Sequence, residues 1–102
     1  MNACEPYQQY YEHLLARCRQ LAEHLWPSRA CFPRIVPSGP AAARVYTAVL
    51  FVYGRGRPFS AEGSAAASPL DALLDLRRRL NLAVAELRRN PDVNRIDVVR
   101  RG

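Results

Sequence analysis

Several features that would assign a function directly are missing from this sequence. Among its 102 residues there is no lysine, and no apolar run approaches the roughly 20 residues that span a bilayer. The first residues show no basic region followed by an apolar stretch. The three cysteines, Cys4, Cys18 and Cys31, are odd in number and widely spaced, which fits neither a disulfide framework nor a zinc pattern. The sequence therefore predicts a cytoplasmic protein with reduced thiols and no membrane partner.

Motifs for catalysis are also missing. We find no G-x-S-x-G, no phosphate-binding glycine loop and no H-E-x-x-H. His13 and His24 are three helical turns apart on a predicted helix, too far to share one metal ion, and we expect them at the surface. We therefore predict no catalytic residue, no metal, no cofactor and a non-enzymatic function.

Basic charge is the strongest compositional feature. Fifteen arginines against nine acidic residues give a formal net charge of +6. The charge is uneven, because the segment 61–76 carries three acids and no base, whereas the segment 77–102 carries eight arginines and three acids. Such a surface attracts nucleic acid or an acidic protein, although it equally fits a well-solvated surface.

Hydrophobic spacing predicts an α+β fold. Apolar residues recur every three or four positions in the segment 7–26, which Pro27 ends, and again in 69–89, where Ser68 is a suitable helix cap. Prolines within and after the segment 32–36 suit a strand at a sheet edge. The predicted order is α-β-β-α-β, with about three strands and two helices on one face of the sheet. The elements are helices at 7–26 and 69–89 and strands at 32–36, 44–53 and 93–100.

The segment 44–53 is the strongest predicted strand, and both of its faces are apolar. A chain this small has helices for one face only, so the second face is expected to meet another subunit or partner. The segment 54–67, which follows, has no periodicity and is predicted to be a mobile loop within a single domain that spans residues 1–102. One face carries Val45, Thr47, Val49, Phe51 and Tyr53, and the other carries Tyr46, Ala48, Leu50 and Val52.

A short basic stretch, R-G-R-P at 55–58, resembles the centre of an AT-hook, a peptide that binds the minor groove of A/T-rich DNA. A hook needs an extended peptide with basic flanks, and here a hydrophobic strand precedes the motif while Phe59, Ser60 and Glu62 follow it. The favoured interpretation is that Gly54 and Gly56 form the turn at the end of a strand.

The second half of the chain, from A-V-L-F-V-Y-G through A-E-L-R-R-N-P-D-V to I-D-V-V, resembles bacteriophage tail-terminator and tail-completion proteins. Those are small α+β subunits that form a ring closing a phage tail tube. The resemblance covers about half of the chain and transfers no functional residue. It implies a phage-encoded assembly subunit. A phage or mobile-element setting would equally suit a host-targeting inhibitor.

Two functional hypotheses follow from the sequence. The first is a non-enzymatic protein-interaction or self-assembly subunit, expected as a homo-oligomer, because aromatic and arginine side chains dominate interface energetics. Its expected contact residues are Tyr46, Tyr53, Arg55, Arg57 and Phe59. The alternative is a small basic nucleic-acid-binding protein whose binding weakens steeply with salt. Its expected contact residues are Arg55, Arg57, Arg78, Arg88 and Arg89.

Overall fold

The fold consists of a three-stranded sheet and three helices, in a computed structural model that describes residues 5–102. Cys4 therefore lies outside the described residues. The elements in chain order are α1 (Glu5–Leu25), β1 (Ala30–Ser38), a 3₁₀ turn (Ala41–Ala43), β2 (Val45–Tyr53), β3 (Phe59–Glu62), α2 (Pro69–Arg89) and α3 (Arg95–Arg101). The predicted α+β class is confirmed.

The sheet is an antiparallel meander in the order β1-β2-β3. Reciprocal backbone hydrogen bonds join Tyr46 to Ala66, so the even-numbered residues of β2 turn their backbone groups toward β3 and the odd-numbered ones toward β1. The odd-numbered residues of β2 pair with the even-numbered residues of β1. Pro33 and Pro37 therefore lie where β1 turns its backbone groups away from β2. A residue without an N–H is tolerated at such a position, which explains two prolines in one strand.

One face of the sheet packs against the helices. Ala48, Leu50 and Val52 alternate along β2 and are fully buried. They belong to one hydrophobic core that also contains Leu14 of α1 and Leu80 of α2. The two helices predicted from the sequence both contribute to this core. Their observed bounds differ from the predicted ones by two residues or fewer at each end.

The last predicted element is wrong, because residues 95–101 form the helix α3 and not a strand. Asn94 caps it by accepting a hydrogen bond from the Asp97 backbone N–H at 3.1 Å. Val98 and Val99 are both buried, and a helix can turn two consecutive residues toward the core whereas a strand sends them to opposite faces. Every pairing in the described sheet is antiparallel, so no parallel β-α-β crossover joins these strands.

The third strand comes from the segment predicted as a mobile loop. Residues 59–62 pair with β2, and Ala61 is buried between the exposed Ser60 and Glu62. A four-residue strand that contains Ser, Ala and Glu has weak intrinsic strand preference. The backbone hydrogen bonds to β2 therefore stabilise β3 as a strand, because its own sequence favours a strand only weakly.

Candidate interaction surfaces

The second face of the sheet, which we call the outer face, is mostly apolar and largely uncovered. At one edge Arg19 of α1 reaches over it, with its guanidinium carbon 5.6 Å from the centre of the Phe32 ring. Val49 at its centre is buried between its neighbours, at 8% exposure, but no residue of this face belongs to the core cluster between the sheet and the helices. Phe32, Val36 and Tyr53 are among the most exposed large apolar side chains of the described chain, at 39%, 42% and 47%. The Phe32 and Tyr53 rings pack together with centroids 5.8 Å apart. The outer face consists of Phe32, Arg34, Val36, Val45, Thr47, Val49, Phe51, Tyr53, Ser60 and Glu62.

Two opposite charges lie in one row across the outer face. Arg34 pairs with Val49 in the β1–β2 register, and Val49 pairs with Glu62 in the β2–β3 register. Arg34 and Glu62 are both exposed, and they are separated by two strand spacings, about 10 Å. Neither belongs to an ion pair among the described residues. The row therefore presents one positive and one negative side chain on either side of an apolar centre.

The five contact residues expected from the sequence do not share one surface. Tyr53 lies on the outer face, and the side chains of Arg55 and Arg57 are exposed in the β2–β3 connection. Tyr46 and Phe59 are partly buried against the core on the opposite side of the sheet. The Phe59 ring meets the Trp26 ring edge to face at 5.3 Å, so packing inside the fold accounts for it.

The outer face also contains residues that the sequence-based contact set omitted. Phe32 and Val36 come from β1, and Phe51 from β2. The alternation of β2 places Phe51 on the same face as Tyr53, so this residue could have been found. Phe32 and Val36 depend on the register of β1 against β2, which requires the tertiary structure.

The R-G-R-P stretch is the turn of the β2–β3 hairpin. Gly54 and Gly56 have φ angles of +139° and +88°, which side chains with a Cβ rarely adopt. The Arg29 guanidinium closes the turn by donating to the Arg55 carbonyl at 2.6 Å and to the Arg57 carbonyl at 3.3 Å. The predicted strand-end turn is confirmed. The backbone of this turn is held by the fold, whereas a minor-groove hook requires an extended peptide.

The helix arginines of the nucleic-acid hypothesis are partly neutralised. Arg78 donates to Asp75 at 2.9 Å, and Arg89 donates to Glu86 at 2.7 Å. Arg88 is exposed near the end of α2. Arg55 and Arg57 belong to the hairpin turn, so the five arginines are divided between two separate elements of the fold.

Asp75 and Arg79, four residues apart on α2, form an ion pair that is part of a larger network. Arg79 Nε lies 2.8 Å from an Asp75 carboxylate oxygen, and the Arg79 side chain is only 7% exposed. Arg79 also donates to the carbonyls of Val99 and Arg100 and to the Ser64 hydroxyl. These bonds join α2 to α3 and to the segment after β3, so Arg79 has a structural role.

The remaining titratable groups offer little chemistry. Burial raises the pKa of the Cys18 thiol to about 11, so this core cysteine is a poor nucleophile at neutral pH. His13 and His24 are exposed, as predicted. Within residues 5–102 no three His, Cys, Asp or Glu side chains are grouped as metal ligands, and no described helix is long and apolar enough to cross a membrane.

Comparison of the chain with protein-family models, with curated proteins and with solved structures gives no match. The resemblance to phage tail-terminator proteins therefore stays a prediction. The outer face and the basic hairpin end are therefore the two candidate interaction surfaces of the described residues.

Proposed function

We propose that this protein is a non-enzymatic self-assembly subunit that pairs with a second copy of itself through the outer face. The observation that carries the proposal is the row Arg34–Val49–Glu62, which places opposite charges symmetrically about an apolar strand. Uncovered apolar faces of this kind mark interaction sites. The positions of Arg34 and Glu62 indicate that a second copy of the chain is the partner.

A two-fold axis along β2 makes the outer face complementary to itself. Rotation about that axis places β1 of one subunit opposite β3 of the other at the same height along the strands. Arg34 then faces the Glu62 position of a second copy, and Glu62 faces its Arg34, while the two copies of Val49 meet at the axis. Aligned packing of two sheets at about 10 Å permits these contacts, and each residue contacts its counterpart reciprocally, as in isologous dimers.

Pairing through the β1 edge of the sheet is less favourable. Pro33 and Pro37 lie at the positions of β1 that point away from β2, and neither has an N–H to donate. Prolines on a free edge prevent the addition of another strand. Association through the face, where Phe32, Phe51 and Tyr53 lie, is therefore the favoured mode.

The outer face is small, since its strands are at most nine residues long and three strands wide. That is about 30 Å by 15 Å, at the low end of the area that supports specific interfaces. We expect a reversible dimer with a Kd on the order of micromolar.

The test is light scattering coupled to size-exclusion chromatography across a range of protein concentrations. A mass approaching twice the 11.5 kDa of one chain, retained at high salt, is expected. Phe51→Lys should return the monomer, whereas the control Leu82→Lys, at an exposed apolar site on α2, should leave the dimer intact. Equal behaviour of the two variants would exclude the outer face.

Charge exchange tests the two-fold arrangement directly. Arg34→Glu and Glu62→Arg should each weaken the dimer, since each places like charges opposite one another, and the double variant should restore it. A double variant as weak as the single variants would contradict the two-fold axis along β2.

The phage tail-terminator resemblance leads to a different assembly. A ring uses two different surfaces on each subunit, so it would give a mass several times that of a dimer. The same chromatogram therefore separates a face-to-face dimer from a ring. A monomer at all concentrations, with binding only to another protein, would favour a host-targeting inhibitor.

A further inference from the structure

A cleft of about 200 Å³ lies beside the turn that follows α1. Trp26, Arg29 and Arg95 line it together with Leu25, Pro27 and Ser28. None of its lining residues belongs to the outer face, so the proposed dimer does not use it. Two of them, Arg29 and Arg95, are arginines from distant parts of the chain.

The surroundings of the cleft are basic and the position of Arg29 is fixed. Arg29 packs over the Phe59 ring at 5.2 Å and holds the hairpin turn that carries Arg55 and Arg57. The segments 26–34 and 54–60 contain four arginines and no acidic residue. Asp97, the acid of α3, lines a different cleft beside Arg100 and Arg101.

Arg95 has a donor that the described chain leaves without an acceptor. Its Nε is buried and finds no hydrogen-bond partner among the described residues. Buried donors are almost always paired, and an anion is a strong acceptor for a guanidinium group. Arg95 as a whole is only half-buried and lines the cleft, so a small shift of its side chain would bring this donor to an anion bound there.

We propose that this cleft binds a phosphate group through the guanidinium groups of Arg29 and Arg95, with Trp26 as its apolar wall. Phosphate oxygens match the planar donors of arginine, and the positive potential of the hairpin raises the local anion concentration. The phosphate belongs either to a nucleic-acid backbone or to a small phosphorylated compound.

The single tryptophan of the chain makes the test specific. Because Trp26 is the only tryptophan and lines the cleft, its fluorescence reports occupancy directly. The protein is titrated with inorganic pyrophosphate and, separately, with a short single-stranded oligonucleotide, at constant ionic strength adjusted with chloride. Saturable quenching or a saturable spectral shift is expected with at least one of them.

Matched variants separate a site from general charge. Arg95→Gln and the control Arg88→Gln each remove one positive charge, but only the first alters the cleft. Arg95→Gln should weaken binding about tenfold or more, as expected for a lost charge-assisted hydrogen bond, and Arg88→Gln should change it little. Circular dichroism confirms that both variants are folded, and Arg95→Lys, which keeps the charge but not the planar donors, should bind more weakly than wild type.

The outcomes are distinct. Saturation by the oligonucleotide with a steep salt dependence identifies a nucleic-acid backbone as the source, and saturation by pyrophosphate alone identifies a small phosphorylated compound. A response that fails to saturate with both probes, or that falls equally in Arg95→Gln and Arg88→Gln, would overturn the proposal.

Discussion

Individual side chains in this protein have roles that charge alone does not reveal. Arg79 lies in a run of three arginines, R-R-R at 77–79, yet it is the buried member and Arg78 is half exposed. The difference arises because one hundred degrees separate successive helix positions. The spacing of four residues is enough to place Asp75 beside Arg79, but the burial of Arg79 and its bonds to α3 depend on a contact twenty residues away.

Removal of Arg79 should destabilise the fold strongly. Arg79→Ala removes a partner of the Asp75 carboxylate and leaves two backbone carbonyls of α3 without their hydrogen-bond donor. We expect a loss of about 3 kcal/mol in the free energy of unfolding, measured by urea denaturation. Arg78→Ala is the control and should cost less than about 1 kcal/mol, because its side chain is 51% exposed. Similar losses in both variants would mean that the Arg79 network contributes little.

Asp75 should make stability depend on acid pH. Burial opposes its ionisation, but hydrogen bonds from the Ser64 N–H, Arg78 and Arg79 outweigh burial and hold the pKa below its ordinary value of 3.8. Because the folded-state pKa is the lower one, Asp75 stabilises the fold above the unfolded pKa, and this contribution is lost as the pH falls through the folded pKa.

The check is a series of urea midpoints from about pH 7 down to about pH 2. Asp75→Asn should be less stable at neutral pH, and its midpoint should fall less steeply in the acid range. The exposed Asp92→Asn serves as a control and should follow the wild-type curve. If the Asp75→Asn curve ran parallel to wild type over the whole series, the linkage would be refuted.

At the scale of elements, strong local sequence signals predicted the helices and strands correctly, whereas weak signals did not. The cap at Ser68, Pro69 and the apolar spacing defined α2 to the residue. The segment 93–100 is predicted as a strand because Ile96, Val98 and Val99 are β-branched, but residues 95–101 form a helix. A helix is favoured there because it buries both Val98 and Val99 against α2. β3 was missed because only its partner strand specifies it.

The Ser68 cap gives a prediction at this scale. The Ser68 hydroxyl accepts a hydrogen bond from the Asp71 N–H at 3.1 Å, which satisfies one free donor at the start of α2. Ser68→Ala should lower the free energy of unfolding by about 1 kcal/mol. Ser38→Ala, at the exposed end of β1, should change it little, and thermal or urea unfolding of the two variants measures the difference. A cost no larger than that of Ser38→Ala would show that the cap is dispensable.

At the scale of the whole molecule, three helices and a sheet leave one sheet face without a cover. The proposed dimer therefore has a second consequence, because association that stabilises only the folded state raises the unfolding temperature with protein concentration. This dependence should be present in the wild-type protein and lost in Phe51→Lys.

The sequence by itself determined the two long helices, the strand at 44–53, the apolar character of both faces of that strand and the turn at R-G-R-P, because these depend on spacing and on local backbone preferences. Only the tertiary structure decided which face of the sheet the helices cover, that Arg34 lies beside Val49, and that Arg29 and Arg95 line one cleft. Those facts depend on register and packing between residues distant in the chain. Both candidate surfaces combine separate segments, and no local pattern specifies such a combination.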